Sequence, residues 1–172
     1  MGKALIITLA LIVSACTAEA RDAARLIGFG CAVDGDGIMV GGTMVAGRCE
    51  GGLEVRMQGI DAVEKEQTCK DKDGEVWQCG QASRQALADL IKGAEVTCHL
   101  IPGAITYGRP VGVCFAGETD LNQAQTLEGW AIAYRKYSNR YVGEEKEAKK
   151  ARRGIWRGKF EKPEKWRRKH YR

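Results

Sequence analysis

Three prolines, two histidines and no C-x-x-C pair occur in the 172 residues. With so little proline, and 22 glycines that follow no period, the chain is not collagen-like. Its 44% hydrophobic content is too high for a disordered chain. No internal repeat is present, so a solenoid or propeller is excluded. His99 and His170 lie far apart, which together with the missing C-x-x-C argues against a zinc site. The longest apolar run, Ala4 to Val13 broken only by Thr8, is shorter than the ~20 residues that span a bilayer.

That run has the length of a signal-peptide core behind a positive Lys3. Two processing sites compete. Ala18-Glu19-Ala20 would release a chain starting at Arg21, and Val13-Ser14-Ala15-Cys16 resembles a lipobox with Cys16 as the lipidated terminus. The expected organisation is a signal peptide over 1–20, a folded domain over 21–156 and a basic aromatic tail over 157–172. Without Cys16, six cysteines remain, and an even set in an exported chain reads as disulfides. Fifteen connectivities are possible. The sequence-local one is Cys31–Cys49, Cys69–Cys79 and Cys98–Cys114, the last two sitting in apolar runs that a short connection could fold into a hairpin.

Net charge is +5, unevenly spread. From Glu144 to Arg172 there are 13 Lys/Arg against 5 Asp/Glu, so the remainder of the chain is acidic. Such asymmetry points to a polyanionic partner. Trp156, Phe160 and Trp166 are interleaved with the basic residues. Two readings of the tail stay open: it binds phosphates, or its aromatics staple it to the domain.

Apolar patterning predicts strands over 26–33, 38–45, 53–60, 94–101 and 110–116. It predicts helices over 81–91, 120–128 and 143–153, each followed by glycine, and an irregular loop over 65–78. Five short strands with a helix between the third and fourth predict a small α+β, mainly β, five-stranded OB-type barrel with about three helices.

Three motifs could carry chemistry. Asp34-Gly35-Asp36-Gly37 sets carboxylates two apart at a strand end, suited to a hard cation, although alone it reads as a turn. Arg56, Asp61 and Glu64 follow at a strand's mouth, where an arginine and two carboxylates suit metal-assisted phosphate chemistry or a solvated loop. Tyr107-Gly108-Arg109 offers an arginine at a turn, the natural clamp for phosphate. The order D-x-D, R-x-x-G-I-D-x-x-E, Y-G-R, then Gly129-Trp130-Ala131-x-Ala133-Tyr134, resembles the staphylococcal-nuclease (thermonuclease) family from about Cys31 to Trp156. Cys79-Gly80, Asp120-Leu121-Asn122 and the Glu145–Trp156 run resemble its secreted, cysteine-containing bacterial branch.

The resemblance implies an OB-fold endonuclease, a Ca²⁺-dependent phosphodiesterase that cuts DNA or RNA with low sequence specificity and leaves 3′-phosphates. It implies that Asp36, Asp61 and the main-chain carbonyl of Ala62 hold the metal, with Asp34 behind them. It assigns Glu64 as general base, Arg56 and Arg109 to the scissile phosphate, and Tyr107 and Tyr134 to the nucleotide. Core packing is an equal reading of Tyr134. Three positions depart from the family pattern: Gly37 stands for Thr, Val63 for Pro and Thr106 for Lys. The connection before Arg56 is also longer than the family pattern and contains Cys49. The expected protein is exported, periplasmic or extracellular, and monomeric. It has no obligate protein partner and touches the membrane only if lipidated at Cys16. The alternatives are a non-catalytic OB module binding nucleic acid or another polyanion, and an envelope protein of polysaccharide export or assembly.

Overall fold

The computed structural model describes residues 24–171. The expected signal peptide, both processing sites and Cys16 lie outside them. The chain opens with β1 (Arg25–Gly28), β2 (Gly30–Ala32), β3 (Gly37–Val40), a hairpin of β4 (Thr43–Val45) and β5 (Arg48–Glu50), then β6 (Leu53–Met57) and β7 (Ile60–Ala62). The short pair β8 (Cys69–Lys70) and β9 (Val76–Trp77) precedes helix α1 (Cys79–Ile91). Then come β10 (Val96–Thr106), β11 (Arg109–Ala116), β12 (Thr119–Asp120), α2 (Leu121–Leu127), β13 (Ala131–Ala133), α3 (Val142–Ala151), a 3-10 turn at Gly154–Arg157 and α4 (Pro163–His170).

Hydrogen-bonded neighbours run β1-β10-β11-β6-β3-β2, antiparallel except for the parallel β11–β6 pair. The two ends of this ladder are halves of one strand bent at Phe29: residues 25–28 pair with β10 and residues 30–32 with β3. The bent strand therefore borders both ends of a five-stranded, OB-like sheet. Alternation along β6 explains its orientation. Val55 and Met57 are buried, while Glu54 and Arg56 face outward and remain partly accessible.

Two expected strands are each broken by a turn. The 38–45 segment stops at Gly41 and resumes as β4, and the 53–60 segment breaks at Gly59, whose φ of 75° turns the chain into β7. The loop expected over 65–78 contains the β8–β9 pair. A fourth helix, α4, forms in the region read as tail, with Pro163 in its first turn, a position that suits proline.

Two apolar clusters fill the interior. The larger joins Ile38, Val40, Val55, Met57, Val96, Leu87, Ile91 and Leu121 across barrel and helices. The smaller contains Val63, Cys69, Cys79 and Ile155, with Trp77, Trp156 and Phe160 packed on it. Trp156 and Phe160 thus tie the start of the tail to the domain. The disulfides are Cys31–Cys49, Cys69–Cys79 and Cys98–Cys114, the sequence-local set. Cys98 faces Cys114 directly across the β10–β11 hairpin.

Candidate functional site

The site lies where the β2–β3 turn, the outward face of β6 and the β7 exit meet. Two hydrogen bonds shape the turn: Asp36 N–H donates to the side-chain Oδ1 of Asp34 at 3.0 Å and Val33 N–H to the Gly37 carbonyl at 2.9 Å. The buried Gln125 amide donates to the Gly35 carbonyl at 2.8 Å and fixes the loop from below. Gly37 pairs with Arg56 across the β3–β6 ladder, so the turn's carboxylates stand over that guanidinium. A Cβ on Gly37 would meet Asp34 Oδ1 at 2.9 Å and Glu54 Oε1 at 3.2 Å. Both are side-chain ends that can shift, so these contacts do not explain why glycine stands here.

Arg56 bridges the carboxylates. Its Nη1 lies 2.6 Å from Asp36 Oδ1 and its Nη2 lies 3.0 Å from Asp61 Oδ1. Asp36 Oδ2 accepts the Ala62 N–H at 2.5 Å, which locks β7 to the β2–β3 turn. Asp61, only 1% exposed, sits in β7 opposite Ile132 of β13. Burial pushes the Asp36 carboxyl well above its ordinary range, against Arg56, while Asp34 and Asp61 push the same way as burial. Burial works against the Arg56 charge, but Asp36, Asp61 and Asp34 more than offset it and raise its pKa.

Glu64 follows on a loop framed without proline. Its N–H donates to Gln67 Oε1 at 3.2 Å, and its carbonyl accepts the Gln67 N–H at 2.8 Å. Gly80, at the start of α1, packs directly beneath that carbonyl. The Cys69–Cys79 bridge joins the two segments that flank this contact. Burial raises the Glu64 carboxyl, opposed by Arg167.

Arg167, on α4, is the residue that sequence reasoning missed. Its Nη1 lies 2.9 Å from Asp61 Oδ1 and 2.6 Å from Glu64 Oε1, and its Nη2 lies 3.2 Å from Asp61 Oδ2. Nothing in the run of lysines and arginines around it marks it out. Burial disfavours its charge, but Asp61 and Glu64 prevail and hold it firmly protonated.

The remaining candidates lie at varying distance from this centre. Arg109 pairs with Glu54 at 2.8 Å, because the parallel β6–β11 register that sets Val111 beside Arg56 sets Arg109 beside Glu54. Tyr107 is 95% exposed at the hairpin tip and touches none of the central carboxylates. Tyr134 follows β13, donates its N–H to the Gly59 carbonyl and packs edge-on against Tyr137 at 4.9 Å. Burial raises its hydroxyl pKa, followed by the charge of Asp61, and both residues line one cleft. An open cleft of about 590 Å³ runs from Asp61 past Tyr134 to Trp156, Phe160 and Lys149. It offers an elongated ligand an aromatic and cationic wall.

The donor set fits a hard divalent cation in chemistry and charge. Asp34, Asp36, Asp61 and Glu64 bring four carboxylates against the two guanidiniums of Arg56 and Arg167, and every donor is oxygen. Among the described residues, no three His, Cys, Asp or Glu side chains are grouped to hold a metal ion. The expected ligands Asp36, Asp61 and Ala62 lie side by side here, Asp36 Oδ2 accepting the Ala62 N–H.

The model of the family described as staphylococcal nuclease homologue matches residues 54–158. The chain is 30% identical over 166 residues to the succinoglycan biosynthesis protein ExoI of Rhizobium meliloti (strain 1021), an alignment covering 94% of this chain and 81% of that protein. It is 35% identical over 130 residues to the micrococcal nuclease of Shigella flexneri, covering 67% and 68%. It is 33% identical over 117 residues to the probable staphylococcal-like nuclease CAN3 of Oryza sativa subsp. japonica, covering 66% of this chain and 28% of that longer protein. With its OB-like fold and a family match over most of its length, the chain belongs to the staphylococcal nuclease family.

Proposed function

We propose that the protein is an exported, Ca²⁺-dependent endonuclease that hydrolyses DNA or RNA with low sequence specificity and leaves 3′-phosphates. The observation that carries this reading is the meeting of Asp36, Arg56, Asp61 and Glu64 within ion-pair reach at one end of the barrel. Three disulfides fit an oxidising compartment outside the cytoplasm. The cleft walls of Tyr134, Trp156 and Lys149 suit a single strand held by stacking and phosphate charge, a mode that does not read sequence.

Glu64, partly accessible and raised by burial, takes a proton from a water that attacks phosphorus. The bond to the 5′ oxygen breaks, that oxygen leaves with the bonding pair and gains a proton from solvent, and the 3′-phosphate remains. Arg56 and Arg109 oppose the charge that gathers on the equatorial oxygens, each typically contributing 10²–10³ in rate. Arg109 must exchange Glu54 for phosphate to do so. Asp36, Asp61 and the Ala62 carbonyl would hold Ca²⁺, which would supply Lewis-acid polarisation of a phosphoryl oxygen.

The test is digestion of denatured DNA by the purified oxidised protein, with Ca²⁺ or with EGTA, beside Glu64→Gln. Cleavage by wild type alone, and only with Ca²⁺, supports the endonuclease. A second reading has one observation in its favour: Arg167 already neutralises Asp61 and Glu64, as would suit a non-catalytic nucleic-acid-binding module. No cleavage by folded protein that still binds DNA would favour that module. Activity of Glu64→Gln within threefold of wild type would remove Glu64 as general base.

A further inference from the structure

We propose that Arg167 is a built-in occupant of the cation position, so that docking of α4 and binding of a divalent cation exclude one another. The C-terminal helix is then a lid that the cation releases. This inference rests on the proposed cation site at Asp36 and Asp61.

The first argument is one of acceptors. Arg167 engages both oxygens of Asp61 and the near oxygen of Glu64, while Arg56 shares Asp61 Oδ1 at 3.0 Å. A carboxylate has about four acceptor positions, and three on Asp61 already face guanidinium nitrogens. A divalent ion beside Asp61 would compete for the same lone pairs and lie against a like charge. The general base is held by the same side chain, so the docked state blocks both cation and proton acceptor.

The second argument is how lightly the rest of α4 is held. Pro163 is the helix's only buried residue, and Arg167 is 30% exposed. Trp166 stacks on His170 at 3.9 Å and meets Tyr171 edge-on, both partners within its own segment. Lys165 and Lys169 both pair with Glu161, again within the segment. Beyond the burial of Pro163, the polar ties from Glu161 onward among the described residues are the Gln67 amide donating to the Glu161 carbonyl at 2.7 Å, the Tyr171 hydroxyl donating to Glu66 at 3.3 Å, and Arg167 itself. The docking contacts with charge complementarity are therefore the ones a cation would take.

The third argument is the fixed base. Lys159 exchanges two 2.8 Å backbone hydrogen bonds with Lys70, and Phe160 packs against Trp156. The helix can leave the carboxylates without unravelling the segment that carries it.

The test uses the oxidised chain and two readouts that do not depend on cleavage. Calorimetric Ca²⁺ titration compares wild type with Arg167→Gln, and hydrogen exchange follows amides 163–171 of wild type in EGTA and in saturating Ca²⁺. The expected results are at least tenfold tighter Ca²⁺ binding by Arg167→Gln, and faster exchange of the helix when Ca²⁺ is added to wild type. Affinities within twofold, or helix exchange unchanged at saturation, would overturn the competition while leaving the cation site standing. Weaker Ca²⁺ binding by Arg167→Gln would make Arg167 a supporting residue of the site and overturn it too. If neither protein binds Ca²⁺, the cation site itself fails, and the competition with it.

Discussion

Gly80 lies so close beneath Glu64 that a Cβ built on it would fall 1.8 Å from the Glu64 carbonyl oxygen and 2.7 Å from that of Lys65. Both atoms are backbone, so neither can swing aside. The start of α1 thus sets the height of the loop that carries the proposed general base, a role that proline would share at position 63.

Gly80→Ala tests this support. The substitution is expected to destabilise the fold by about 1–3 kcal/mol, the usual cost of overpacking. Cleavage should fall by more than the melting shift accounts for, since the Glu64 loop is what must move. A variant with wild-type melting and wild-type kcat would show that the loop does not depend on this contact.

Asp36→Asn separates stability from activity. Burial holds the Asp36 carboxyl well above its ordinary range, so its ionised form is disfavoured in the folded protein. The stability this group contributes is fully present below the unfolded carboxylate value of about 3.9 and is lost as pH rises through the higher folded value. In EGTA at pH 8, Asp36→Asn is therefore expected to melt above wild type, with the gap narrowing toward pH 4. Asparagine can still accept the Ala62 N–H. A variant that melts no higher than wild type at pH 8 would contradict the burial argument, and retained cleavage would remove Asp36 from the machinery.

Arg109→Lys addresses the pair at 2.8 Å from Glu54. Both side chains are about a quarter exposed, so the ion pair should contribute under ~1 kcal/mol to stability. Lysine keeps the charge but loses the planar fork that grips a phosphate. The expected outcome is a melting temperature close to wild type with kcat/KM lowered about 100-fold. Unchanged kinetics would leave Arg109 as a partner of Glu54 alone.

The disulfides should differ in consequence. Replacing Cys69 and Cys79 together by alanine is expected to cost about 2–3 kcal/mol and to depress cleavage strongly. Replacing Cys31 and Cys49, which tether the β4–β5 hairpin, should leave kcat within about twofold in conditions where the protein stays folded. Equal kinetic losses from the two pairs would mean that the bridge near Glu64 has no special part in holding the loop.

The parts of the site legible in the sequence are those written in local spacing. Arg56 and Asp61 flank a single turn, and the alternation of Glu54, Val55, Arg56 and Met57 on β6 follows from strand period alone. The barrel was legible for the same reason, from short alternating runs. Arg167 was not, because it reaches Asp61 across 106 positions of sequence and resembles its basic neighbours. Nor was the Arg109–Glu54 pair, which depends on the register of two parallel strands 55 positions apart. Gln67, Gln125 and Gly80 act through buried backbone contacts that no side-chain pattern announces. Pro163 was a helix-start signal in plain view, masked by the charge around it.

The Cys69–Cys79 bridge sits at a crossing point. It touches the Glu64 loop on one side, the start of α1 on another, and through Lys70 it holds the Lys159 footing of the tail. A freshly made chain whose thiols are still reduced would own every carboxylate and arginine of the site without the covalent knot that aligns them. Closing that bridge would then be the step that sets the Glu64 loop against the start of α1.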